Sequence, residues 1–239
     1  MNDQKFKILM VEDNPGDARL LSLFLSQAGA GRYEAVHAAR LSEGLERLAA
    51  DSIDLVLLDL GLPDGQGLDT LRRMQARFPS APIIVLTGLD DEGLAVQAVQ
   101  AGAQDYLVKG RVDEYSLLRA VRYAIERRHA EQALRESNAF NTMLLQTIPF
   151  GMDIVDEGGQ MLFLNPEMEK AVGQNALGAR CWELYKDDRQ QCADCPLKQN
   201  IEVGRQNTIE TSGVLGGKTF EISHIGIIFR GKKAVLEIF

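Results

Sequence analysis

No stretch of this chain approaches the roughly 18 uncharged apolar residues that a membrane-spanning helix needs, so no membrane partner is expected. The start, MNDQKFKILMVEDN, turns directly into strand-like sequence and lacks the apolar core and small-residue cleavage site of a secretory signal. That points to the cytoplasm. Cysteine is scarce: the 239 residues hold three, an odd number that fits a disulfide framework poorly, and in that compartment they are expected to be reduced. Basic residues are outnumbered, 26 Lys and Arg against 34 Asp and Glu, for a net charge of −8 and a pI near 5.0. Phosphate binding needs a clustered basic footprint, so no nucleic-acid partner is expected. What remains, 45% hydrophobic and 25% charged, is the composition of a soluble globular protein long enough for two domains with their own cores.

The most informative stretch is IDLVLLDLGLPDGQG, residues 53–67. Leu55 to Leu58 form an apolar run too short for a buried helix and bounded by Pro63, Asp64 and Gly65, so it reads as a central parallel strand. Asp59 stands at its C-terminal edge. In an open α/β sheet that edge opens onto the crevice where ligands bind, and a charge placed there needs a metal or a reaction to explain it.

Strand and helix patterns alternate on either side. Strands are expected over Phe6–Val11, Tyr33–Ala38, Pro82–Leu86 and Asp105–Val108, with helices between them. One of these helices is expected to be carried by Leu94, Val96, Ala98 and Val99. Five such alternations in about 110 residues predict a doubly wound parallel sheet. Glu12 and Asp13 then follow the first strand, Asp59 the third, Thr87 the fourth and Lys109 the fifth. Singly, a carboxylate after a strand is often a helix cap or turn residue. Together on one edge, three carboxylates would repel one another unless a divalent cation sat among them, and hard oxygen ligands suit Mg²⁺. A lysine would neutralise the remainder, and a threonine hydroxyl could donate to a phosphoryl oxygen.

On these residues, 1–125 resembles the receiver domain of bacterial two-component response regulators. The resemblance implies a flavodoxin-like fold with Asp59 as phosphoacceptor. It implies Mg²⁺ held by Glu12, Asp13, Asp59 and the Gly61 carbonyl, with Thr87 and Lys109 on the acyl phosphate and Tyr106 as switch aromatic. The implied partner is a histidine kinase or phosphotransfer protein. One departure is Gly110, where the family commonly has a proline after a cis peptide; without proline a cis bond costs about 3 kcal/mol and is not expected here. Phosphatases of the haloacid-dehalogenase type also use an aspartate after a strand, but they need a second acid two residues on, where this chain has Gly61.

From Asp113 no Gly or Pro interrupts a helical pattern until Pro149. Leu118, Val121 and Ile125 are expected to face the sheet. A 3–4 spacing continues through Ala120, Tyr123, Arg127, Ala130, Leu134, Ser137, Asn141, Leu144 and Ile148, the spacing of a coiled-coil seam with polar residues in its middle. Two readings follow for 113–148: a solvated charged helix, or the coiled-coil linker of a parallel homodimer.

From residue 149 the period changes to alternation. A hairpin is expected around Glu157-Gly158-Gly159, then Asn165-Pro166 as N-cap and first helical residue, then three strands near Thr208–Thr211, Lys218–Phe229 and Lys232–Phe239. This order, with the run DEGGQMLFLNPEMEKAVG, resembles a PAS domain, an α+β fold with an antiparallel sheet and an internal cavity; the resemblance implies a sensory or dimerising module and no particular ligand. Within it, Cys192 and Cys195 have the two-residue gap of a metal or redox pair, and Cys181 could be a third ligand. His224 is the best distant fourth, although its place in a strand also suits packing or solvent. The first reading of the cysteines is structural, with a Cys192–Cys195 redox pair second and a metal site third.

The function expected is phosphorelay signalling, in which the receiver's state passes along a dimeric helix to a PAS module. The alternative is a PAS-centred redox or ligand sensor whose receiver regulates dimerisation. No output catalytic site is legible, so the chain is not expected to be an enzyme beyond gain and loss of phosphate at Asp59. The last strand ends at the chain terminus, which suggests a fragment of a longer protein.

Overall fold

Runs of β-branched and leucine residues, buried on both faces, alternate with amphipathic helices through the first half of the chain, and this dictates its layering. The computed structural model describes residues 5–27, 31–88, 92–173, 175–198 and 201–239. The chain divides into two units, Met1–Arg135 and Glu136–Phe239.

In the first unit, strands β1 (Phe6–Val11), β2 (Tyr33–Ala38), β3 (Leu55–Asp59), β6 (Ile83–Thr87) and β7 (Asp105–Val108) form one parallel sheet in the order β2-β1-β3-β6-β7. The order reverses between β1 and β3, so the crevice at that switch point lies at the C-terminal ends of both strands. Helices α2 (Leu41–Ala50), α3 (Gly67–Arg77) and α4 (Glu92–Gln100) bury one face around Val56, Leu58, Leu71 and Met74. On the other face, α1 (Pro15–Gln27) and the start of α5 (Glu114–Thr147) pack on Ile8, Leu55, Leu57 and Ile84. Between β3 and α3 lies a two-residue hairpin not expected from the sequence, β4 (Gly61–Leu62) with β5 (Gly65–Gln66). Two residues on each side are too few to show a period.

Three side-chain expectations need correction. Val96 and Val99 are 50% and 41% exposed, whereas Ala95 and Ala98 are buried and Leu94 packs partly buried against the same core. In α5 the sheet-facing set is Leu117, Ala120, Val121, Ala124 and Ile125, with Leu118 partly buried. Ala120 is thus taken up by the core and cannot open a coiled-coil seam. Helix α5 begins at a reciprocal cap, in which the Ser116 N–H donates to Asp113 Oδ1 (2.7 Å) and the Asp113 N–H to Ser116 Oγ (3.1 Å). With no Gly or Pro to stop it, the helix runs for 34 residues.

In the second unit, β8 (Met152–Asp156), β9 (Met161–Leu164), β10 (Gln206–Val214), β11 (Lys218–Phe229) and β12 (Lys232–Ile238) form an antiparallel sheet in the order β10-β11-β12-β8-β9. Short helices α6 (Pro166–Val172) and α7 (Cys181–Tyr185) follow the β8–β9 hairpin. Asn165 is the N-cap of α6: fully buried, its Oδ1 accepts from Met168 N (3.0 Å) and Met152 N (2.9 Å) while its Nδ2 donates to the Phe150 carbonyl (2.8 Å). The core comprises Val155, Met161, Met168, Tyr185, Val214 and Val235 among others. Among the described residues no helix is long and apolar enough to cross a membrane.

Candidate functional site

The C-terminal ends of β1, β3, β6 and β7 bring Glu12, Asp59, Thr87 and Lys109 together, because parallel strands in register end at one edge. Carboxylate oxygens of Glu12, Asp13 and Asp59 lie within 4.8 Å of one another. Glu12 and Asp59 are buried and Asp13 is exposed. The Lys109 ammonium sits between the buried pair, 2.7 Å from Asp59 Oδ2 and 2.7 Å from Glu12 Oε2, and also 3.5 Å from Asp17. It hydrogen-bonds to Asp59 and to Glu12 Oε1 at 2.7 and 2.8 Å. Backbone groups steady the acids: Asn14 N–H donates to Glu12 Oε1 (3.1 Å) and Gly61 N–H to Asp59 Oδ1 (3.0 Å).

The electrostatics follow from burial. Desolvation pushes the Glu12 carboxyl above its ordinary pKa, and the Lys109 hydrogen bond only partly opposes it. Burial also works against the Lys109 ammonium, but its hydrogen bonds to Asp59 and Glu12 outweigh that and hold its pKa above the ordinary lysine range. One ammonium thus faces two buried carboxylates and a third on the rim, an excess of negative charge that a hard divalent cation would balance. Three carboxylates at this spacing, open to solvent on the Asp13 side, are a donor set suited to Mg²⁺.

Thr87 ends β6 with its hydroxyl buried and without a hydrogen-bond partner in the protein, at the edge where Lys109 N–H donates to the Thr87 carbonyl (2.7 Å). A buried hydroxyl without a partner is costly and is rare unless it serves a ligand or conformational change. Tyr106 packs partly buried against the α2–α3–α4 face. Gly110, after Lys109, takes a positive φ of 79°, and no cis peptide occurs among the described residues. The sequence reading missed Asp17 beside the lysine. It also missed Asp64, which reaches back to cap α2 by accepting from Leu41 N (2.8 Å) and Ser42 N (2.9 Å). Asp17 lies on the first turn of α1, and only the packing of α1 turns it towards Lys109.

The three cysteines are free, with Cys181 and Cys195 buried and Cys192 half-buried. Among the described residues the acidic cluster is the one group of three or more such side chains gathered tightly enough to hold an ion, so the thiols do not converge as a closed metal centre here. His224 is buried rather than solvent-facing, its Nε2 3.2 Å from Glu237 Oε1.

Comparison with known proteins agrees with this geometry. The response regulator receiver domain family matches residues 8–122. The transcriptional regulatory protein KdpE of Mycobacterium tuberculosis is 32% identical over 73% of this chain and 79% of that one. The chain belongs to the response regulator family. Another relative, the transcriptional regulatory protein BasR of Escherichia coli, is 36% identical over 67% of this response regulator and 68% of its own length. The crystal structure of NtrX from Brucella abortus matches 56% of this chain and 29% of that one with a TM-score of 0.51 and 24% identity, a likeness of fold. The chain thus carries a receiver domain of two-component signalling, followed by a long helix and an antiparallel sheet.

Proposed function

We propose that Asp59 accepts a phosphoryl group from a histidine kinase or phosphotransfer protein, and that the resulting state of the receiver passes along α5 to a PAS module. The observation that carries this reading is the convergence of Glu12, Asp13 and Lys109 on Asp59. Glu12, Asp13, Asp59 and the Gly61 carbonyl would hold Mg²⁺, which supplies positive charge for the incoming phosphoryl oxygens. An Asp59 carboxylate oxygen forms the new bond to phosphorus as the donor's bond breaks. Lys109, already hydrogen-bonded to Asp59, stays within reach of the phosphoryl oxygens, and the unpartnered Thr87 hydroxyl donates to one of them. Drawing Thr87 towards the phosphoryl group frees space beside it, into which Tyr106 turns. Beyond gain and loss of that group, the chain performs no catalysis.

The PAS reading of the second unit is supported by its element order, two strands, short helices and three strands, joined in one antiparallel sheet. A parallel homodimer through the later turns of α5 is supported by the exposure of Leu134, Phe140, Met143 and Leu144. The relatives are named as transcriptional regulators, whereas this chain is acidic overall; in our reading its signal goes to another protein segment and not to DNA. A gel shift with random-sequence duplex at low salt tests that point, and a retarded complex would refute it.

Intact mass after incubation with Mg²⁺ and acetyl phosphate tests the central reading. The wild type should gain the mass of one phosphoryl group and Asp59→Ala should gain none. An unmodified wild type would overturn the proposal.

A further inference from the structure

Ionisable side chains are rarely buried in a small core unless they are paired or bind a metal. In the second unit, Asp153, Glu237 and His224 stand directly opposite one another across β8, β12 and β11, on the same buried face of the sheet. The Tyr185 hydroxyl donates to Glu237 Oε2 (2.5 Å), and His224 Nε2 lies 3.2 Å from Glu237 Oε1. The other ring nitrogen, Nδ1, is buried without a hydrogen-bond partner. A carboxylate on one imidazole nitrogen fixes the proton there and leaves a lone pair on the other, the arrangement that orients metal-ligating histidines.

His224 and Glu237 line a cavity of about 170 Å³ whose walls also include Cys181, Cys192 and Cys195. Cys181 opens α7, while Cys192 and Cys195 flank a turn in which Cys195 N–H donates to the Cys192 carbonyl (3.3 Å). We propose that this cavity binds a zinc-class divalent cation through the thiolates of Cys181, Cys192 and Cys195 and Nδ1 of His224, with Glu237 as the positioning residue for the imidazole. Three sulfurs and one nitrogen make the closed tetrahedral set of a structural zinc site. Binding breaks each S–H bond as a sulfur–metal bond forms and releases one proton per thiol to solvent. The four donors line one cavity without having closed to coordination distance. The segment from Asp187 to Cys195 has no helix or strand to resist closure, so the Cys192–Cys195 turn moves inward. A redox role fits less well, because a reactive thiol needs a lowered pKa, whereas burial pushes both Cys181 and Cys192 upward.

The test is a Co²⁺ titration of the full reduced chain with Mg²⁺ in excess, since the receiver's oxygen donors cannot produce a sulfur-to-cobalt band. The expected result is a charge-transfer band that saturates at one ion per chain, is abolished by Zn²⁺ competition and is accompanied by proton release. Cys192→Ser, at a half-buried position that should leave folding intact by circular dichroism, should lose affinity at least ~10-fold, and Glu237→Gln about 10–100-fold. Three outcomes overturn the proposal: no sulfur-to-cobalt band in the wild type, a band unchanged in Cys192→Ser and Cys195→Ser, or a chain that becomes two hydrogens lighter in air and binds no metal.

Discussion

Replacing Lys109 by methionine keeps an unbranched side chain, one heavy atom shorter, and removes the ammonium that lies 2.7 Å from both Asp59 and Glu12. Breaking a buried ion pair by deleting one partner costs about 3–5 kcal/mol. Lys109 is 22% exposed at the side chain, which favours the low end, so Lys109→Met should destabilise the receiver by about 3 kcal/mol in the presence of a chelator. Two unit charges at the 4.8 Å limit of the acidic cluster repel by about 3.5 kcal/mol at an effective dielectric constant of 20. With Lys109 gone, Mg²⁺ is left to offset that repulsion and meets no competing cation. Its affinity should therefore rise, and a tenfold gain adds about 1.4 kcal/mol to the stabilisation at saturating Mg²⁺. Urea unfolding of wild type and variant, each with EDTA and with Mg²⁺, separates these effects. A variant as stable as wild type in EDTA, or one whose gain on adding Mg²⁺ is no larger than that of wild type, would refute the reasoning.

Other consequences are simpler to check. Asp64→Ala should cost about 1 kcal/mol through loss of the cap on α2. Burial of Asp64 is slight, and the N–H donors of Ser42 and Leu41 outweigh it and hold its carboxyl below the ordinary range. A lowered folded-state pKa means stability that is present above the unfolded value near 3.9 and lost as pH falls through the folded one, so the gap in urea midpoint should be full at neutral pH and close in acid. In Gly226→Ala the new Cβ would overlap the Glu202 carbonyl oxygen, a backbone group with little freedom to give. A thermal melt should show the second unit weakened by about 1–3 kcal/mol. Asn165→Ala removes the α6 cap and the bonds to Met152 and Phe150; a loss of about 2–4 kcal/mol is expected in denaturant unfolding of the same unit.

Strand positions in the first unit were legible because each is a local signal. Phe6–Val11, Tyr33–Ala38 and Asp105–Val108 are short runs whose apolar pattern differs from that of the flanking helices, and they form strands with those limits. The faces of α4 were not legible. Valine and alanine both count as apolar, and only the rotation at which α4 packs on the sheet decides that Ala95 and Ala98 go inside while Val96 and Val99 stay out. The 34-residue α5 was predictable from its lack of helix breakers, and Leu118, Val121 and Ile125 do pack on the sheet core, but that stripe left out Leu117, Ala120 and Ala124. Along this helix several overlapping apolar rows compete, and periodicity alone does not choose among them.

Side-chain chemistry divides in the same way. By itself the sequence determined which residue types stand after each strand of the receiver, and parallel pairing then leaves Glu12, Asp59, Thr87 and Lys109 little choice but to share an edge. Asp17, Asp64 and the row of Asp153, Glu237 and His224 were decided by tertiary structure alone. Asp17 meets Lys109 across 92 residues of chain, and His224 lines the same cavity as Cys181, 43 residues away. Alternation along one strand tells nothing of what the next strand or a packed loop will place opposite it, because that depends on register and topology and not on local period.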